Sequence, residues 1–148
     1  MQFAETKTGR VFVIRLEDGE ILHQEIEDFA RAHAVRAATL TLVGAAGPGS
    51  QLVVGPEETT RSPVVPQTYK LENVYEITGS GTLFPDEETG EPLVHVHVAC
   101  GREAETITGC IRQGVRVWQT VEVVLVELLD TAGARVLDPR LGFKLLRP

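Results

Sequence analysis

The sequence predicts an α+β domain, with one amphipathic helix near the N-terminus set against a mostly antiparallel β-sheet. Three observations carry this. Apolar residues recur at helical spacing between Ile21 and His33. From Thr68 to Leu146 the chain has the β-branched and aromatic content of strands. That stretch is punctuated by polar Gly/Pro/Asp/Glu clusters at Pro85–Pro92, Gly101–Ala104, Arg112–Gly114 and Asp130–Ala134, which read as turns. The 148 residues fit one domain spanning 1–148, large enough to bury a core without disulfides.

The elements follow in order. Arg10–Leu16, RVFVIRL, is a strand that stops at the turn signal Glu17-Asp18-Gly19-Glu20. In the helix, about Ile21–His33, the residues Leu22, Ile26, Phe29, Ala30 and His33 line one face. Val35–Val43 is a strand entering the small-residue loop Gly44–Gly49, and Gln51–Val54 is a short strand. Gly55–Pro66, with its prolines and charges, is an exposed loop. The β-rich half gives strands at about Tyr69–Phe84 with a break near Gly79, Leu93–Cys100, Thr106–Ile111, Val115–Leu129 and Gly142–Leu145.

Hydrophobic residues make up 43% of the chain and charged residues 24%, in the globular range. Fourteen basic against 21 acidic residues leave a net charge of −7, which opposes the phosphate neutralisation that non-specific DNA binding requires. The apolar run Val123–Val126 falls far short of the ~20 residues of a spanning helix, and MQFAETKTGR has no hydrophobic signal region. The expectation is a cytoplasmic protein with no membrane partner.

Chemistry concentrates in Leu93–Ala99, LVHVHVA. A period of two sets Val94, Val96 and Val98 on one face and His95 and His97 on the other, about 7 Å apart along the strand. If the next polar cluster closes a hairpin through a two-residue turn at Glu103-Ala104, His97 lies opposite Cys110. A four-residue turn at Gly101–Ala104 puts His95 there instead. Either even-length turn leaves His95, His97 and Cys110 on one face, within cross-strand reach. Two imidazoles and a thiol suit zinc with an open fourth position, and also copper or nickel. The plain alternative is a polar strand face without a metal. Cys100 faces the other way, as a small core residue that cannot reach Cys110 for a disulfide.

Other residues make weaker claims. His23 reads as a solvated helix residue, and His33 as a structural residue near the helix end. Gly44–Gly49 lacks the lysine and the following helix of a phosphate loop, and no GxSxG nucleophile elbow occurs. Glu76 and Glu122 read as solvated or interface residues.

The order of RLEDGEIL, an amphipathic helix, Val43-Gly44-Ala45-Ala46, Tyr75-Glu76-Ile77-Thr78-Gly79-Ser80-Gly81, His95-Val96-His97, Thr108-Gly109-Cys110 and Thr120-Val121-Glu122-Val123-Val124 resembles the PPC domain family (plants and prokaryotes conserved) over about Gly9 to Leu146. The resemblance implies a compact α+β domain assembling as a homotrimer. In plants the domain follows AT-hooks that bind DNA, whereas this chain has no Arg-Gly-Arg-Pro core and looks like the stand-alone prokaryotic type. Family members typically carry an HxH strand followed by Gly-Gly-His, and some are similar to metal-binding proteins through those imidazoles. Here Cys110 stands in place of the last histidine, another zinc ligand type.

Two functions follow. The first is a homotrimeric binding or regulatory module carrying zinc on His95, His97 and Cys110, with direct DNA binding disfavoured and the small-molecule or protein partner unspecified. The second is a zinc-dependent hydrolase or lyase using the same ligands.

Overall fold

The computed structural model describes residues 1–148 as ten strands, one α-helix and one 3₁₀ turn. Strand β1 (Lys7–Glu17) leads into helix α1 (Leu22–Ala32), followed by β2 (Ala38–Ala46), β3 (Gln51–Pro56) and β4 (Pro66–Lys70). Then come β5 (Tyr75–Pro85), β6 (Pro92–Arg102) and β7 (Glu105–Cys110). The 3₁₀ turn Ile111–Gln113 precedes β8 (Val117–Leu129), β9 (Ala134–Asp138) and β10 (Phe143–Arg147). Eight strands form an antiparallel sheet in the order β1-β8-β2-β5-β6-β7-β3-β4, and β9 and β10 make a separate hairpin. No helix is long and apolar enough to cross a membrane.

The core lies on one face of the sheet because strand periodicity sends alternate residues inward. Leu40 and Leu42 of β2, Val96 and Val98 of β6, and Val121, Val123 and Leu125 of β8 are buried there. Helix α1 covers this face with Leu22, Ile26 and Ala30, spaced by four and all but inaccessible. Full burial of a Leu or Ile side chain contributes about 1.5–3 kcal/mol, so the stripe anchors the helix. No side chain caps its N-terminus; instead the Leu22 N–H donates to the Val115 carbonyl at 2.9 Å.

Several expected boundaries shift. Strand β2 begins at Ala38, after Val35 has packed into the core, and it continues through Gly44–Ala46. The expected break near Gly79 is absent: β5 runs unbroken from Tyr75 to Pro85, and the chain leaves the sheet instead at 71–74. Gly79 and Gly81 serve close approach, since a Cβ on them would meet the His97 and His95 carbonyl oxygens at 2.5 and 2.2 Å. Ile111 opens the 3₁₀ turn instead of ending β7, and β8 starts at Val117. Strand β9 had no sequence expectation and pairs with β10 from Ala134↔Arg147 to Asp138↔Phe143.

The β6–β7 hairpin closes through a two-residue turn, with Arg102 paired to Glu105 and Glu103 at φ +56°. Two-residue turns demand such a left-handed residue. This turn sets the register that decides the site.

Candidate metal centre and adjoining cavity

That register pairs His97 directly with Cys110 and selects the two-residue alternative. Across the other edge of β6, His95 pairs with Thr82 and His97 with Ser80. Both imidazoles project from the sheet face opposite the core. Their Nε2 atoms lie 3.1 Å apart, within hydrogen-bond distance, with the donor and acceptor set by the tautomers of the two rings. The ligand atoms of His95, His97 and Cys110 all fall within 4.8 Å of one another. Tetrahedral zinc with bonds of 2.0–2.1 Å separates two nitrogens by about 3.3 Å, so the histidine pair matches and a small side-chain adjustment brings in the thiol. Burial, reinforced by the charges of Arg135, His97 and Arg112, lowers the His95 pKa and favours the neutral imidazole that ligates metals.

The ladder between β6 and β7 ends at His97–Cys110, where the chain turns away through Ile111–Gln113. The start of β6 is therefore a sheet edge without a β7 partner, and a cavity of about 670 Å³ opens beside it. Its walls include His23 and Glu27 of α1, Leu93–His95 of β6, Cys110, Arg112, Arg135 and residues of β10. Glu27 Oε1 accepts the free Val94 N–H at 3.0 Å, so the helix caps part of the exposed edge. The β9–β10 hairpin closes the outer side. It is held there by the Lys144–Asp86 ion pair and by Arg135, whose Nη2 donates to Thr82 Oγ1 at 2.7 Å.

The sequence matches the Plants and Prokaryotes Conserved (PCC) domain over residues 3–129. The chain belongs to this family. Over 140 residues, 93% of the chain, it is 32% identical to the bifunctional protein GlmU of a Synechococcus species, and it spans 20% of that relative's length. A metal-containing protein of Archaeoglobus fulgidus is 25% identical, with each chain fully covered and a TM-score of 0.84. The plant- and prokaryote-conserved protein of Pyrococcus horikoshii is 22% identical, again over the whole of both chains, with a TM-score of 0.81. A structure from Ralstonia eutropha described as a candidate DNA-binding protein is 22% identical over 92% of this chain and 90% of its own, with a TM-score of 0.70.

Elsewhere in this PCC domain the candidates separate. Cys100 is fully buried on the core face, pairs with Ile77 and Ile107, and has its thiol pKa pushed up to about 11 by burial. Both cysteines are free. His33 stacks on Phe29 at 4.3 Å and its N–H bonds the Phe29 carbonyl, a structural role at the helix end. His23 is not solvated as expected: it lines the cavity, and its buried Nδ1 has no hydrogen-bond partner. Glu122 is exposed, and so is Glu76, about 14 Å along β5 from Ser80, the partner of His97.

The Gly44–Gly49 segment is a structural junction. Its Gly47 and Gly49 N–H groups donate to the Arg116 and Leu71 carbonyls, which removes two of the donors a phosphate would need. Arg135 and Glu27 are the cavity residues that sequence reasoning missed. Glu27 sits four residues after His23, a helical spacing that puts both on one face. Arg135 lies just past a segment read only as a turn.

Proposed function

We propose that this PCC-domain protein is a homotrimeric binding or regulatory module that carries zinc on His95, His97 and Cys110. The observation that carries the reading is the convergence of two imidazoles and a thiol on one sheet face, with all ligand atoms within 4.8 Å. The likeness to a metal-containing protein of Archaeoglobus fulgidus supports it. Trimer formation is supported by the valines that β1, β2 and β8 leave on the outer face: Val11, Val13, Val43 and Val124 are 59%, 83%, 55% and 43% exposed. The net charge of −7 weighs against duplex DNA as the partner, despite the DNA-binding description of a structural relative.

The cavity beside the ligands favours a second reading, a zinc-dependent hydrolase or lyase. Zinc with an open position lowers the pKa of a bound water to about 7. Glu27 is the acidic side chain that this chain contributes to the cavity, and its Oε1 is already engaged by Val94.

Metal analysis of tag-free protein, purified without chelator, tests the proposal. We expect about one zinc per chain, reduced by His97→Ala. Metal-free protein that also fails to take up added zinc overturns both readings.

A further inference from the structure

We infer that the cavity beside β6 is a binding site for a small organic oxyanion, a carboxylate or phosphate monoester on an apolar body, with Arg135 as its principal anchor and Arg112 as a second cation at the rim.

Arg135 is 5% exposed and forms no salt bridge, although it carries a full positive charge away from water. A buried charge is ordinarily paired, because an ion taken out of water without a counter-charge is strongly disfavoured. Its one side-chain hydrogen bond in the structure runs from Nη2 to the neutral Thr82 Oγ1, and its buried Nε has no acceptor. The guanidinium sits 5.9 Å from the Phe84 ring centroid, which offers a weak cation–π contact and no countercharge. The carboxylates nearby are committed elsewhere, and the one ionisable group whose charge acts on Arg135 is the Cys110 thiol on the same cavity wall. Asp86 bonds Lys144 and the Glu88 N–H, and Glu27 takes the Val94 N–H.

The other linings point to the same ligand. Arg112 also lines the cavity, is exposed and has no ion-pair partner, so two unpaired cations flank one space in a chain of net charge −7. His23 Nδ1 is a second buried polar atom there that lacks a partner. Leu93, Phe143 and Leu145 supply apolar wall for the rest of a ligand. A volume of about 670 Å³ lies within the range of small-molecule sites. A guanidinium presents paired donors that match the two oxygens of a carboxylate or phosphate.

The inference goes beyond the metal reading and does not depend on it, since Arg135 keeps its charge whether or not an ion sits on His95, His97 and Cys110. Calorimetric titration of the full-length protein with benzoate and with phenyl phosphate, against benzamide as a neutral isostere, tests it in both chelator-treated and zinc-loaded protein. We expect saturable binding of at least one anion in both forms, about tenfold or more tighter than benzamide. The preferred probe separates a carboxylate from a phosphate ligand. Arg135→Met should weaken the anion about tenfold and leave benzamide unchanged. Should that variant not fold, the exposed Arg112→Gln should still weaken the anion severalfold. Benzamide binding as tightly as the anions, no binding of either anion, or unchanged affinity in the folded arginine variants overturns the inference. Binding confined to zinc-loaded protein and abolished by His97→Ala, with Arg135→Met unaffected, assigns the anion to the metal and likewise overturns it. Anion binding in protein that takes up no zinc overturns the metal reading alone.

Discussion

Cys110 sits directly across the β6–β7 ladder from His97, at the last pair before β7 ends. Directly paired residues have their Cβ atoms about 4.5–5.5 Å apart, which lets thiol and imidazole approach a common point. Cobalt-substituted protein should therefore show a thiolate-to-cobalt charge-transfer band. Cys110→Ser should abolish that band and weaken metal binding by more than about 100-fold, beyond the roughly 10–100-fold loss typical of removing an outer partner. Cys110→His keeps a nitrogen donor at the position and should retain metal without the band. A band that survives in Cys110→Ser would exclude the thiol as a ligand.

Cys100 supplies the internal control. It faces the core, fully buried, and with its pKa raised to about 11 only about 0.1% of it is thiolate at pH 8. Iodoacetamide should leave Cys100 unmodified in native protein and alkylate it in urea, as read by mass spectrometry of the digested chain. Rapid native labelling at Cys100 would contradict its assignment to the core face.

Acid should weaken the fold through one identifiable pair. The Glu127 carboxylate accepts hydrogen bonds from Arg10 Nε at 2.8 Å, Nη2 at 2.7 Å and the backbone N–H at 3.1 Å, and Arg10 thereby lowers its pKa to about 2. A carboxyl held lower in the folded than in the unfolded chain adds stability that is fully present above its ordinary value of 4.5. That stability is lost as pH falls from there toward 2. Glu127→Gln should cost about 1.5–3 kcal/mol at pH 7 in urea unfolding. The gap between wild type and variant should close progressively below pH 4.5, and a gap independent of pH would refute the role given to the charge.

The cluster of His95, His97 and Cys110 was legible in the sequence because strand periodicity is a strict local rule: alternation put His95 and His97 together and sent Cys100 the other way. Only the turn length was open, and the left-handed Glu103 settled it. Two features were hidden for physical reasons. Glycines usually mark a break in a strand, yet at Gly79 and Gly81 they serve the close approach of β6, a tertiary fact. Arg135 belongs to a short strand whose pairing with β10 packs it over Thr82, and nothing local in Ala134–Asp138 signals a buried, unpaired guanidinium.

Assembly can be tested on the face opposite the helix. Val13 pairs with Val124 across β1 and β8, and both project outward, 83% and 43% exposed. Valine gains nothing from water, and neighbouring strands aligning several of them produce the contiguous apolar patch that an interface buries. A lysine placed at such an exposed position changes the stability of an isolated chain by about 0.5 kcal/mol or less. At the centre of an interface the same lysine must be stripped of water without a partner. The proposed homotrimer predicts that wild-type protein elutes with the light-scattering mass of three chains. Val13→Lys and Val124→Lys should elute as monomers that keep the wild-type circular dichroism spectrum. A monomeric wild type would remove the homotrimer, and a trimer untouched by both substitutions would move its interface off this face.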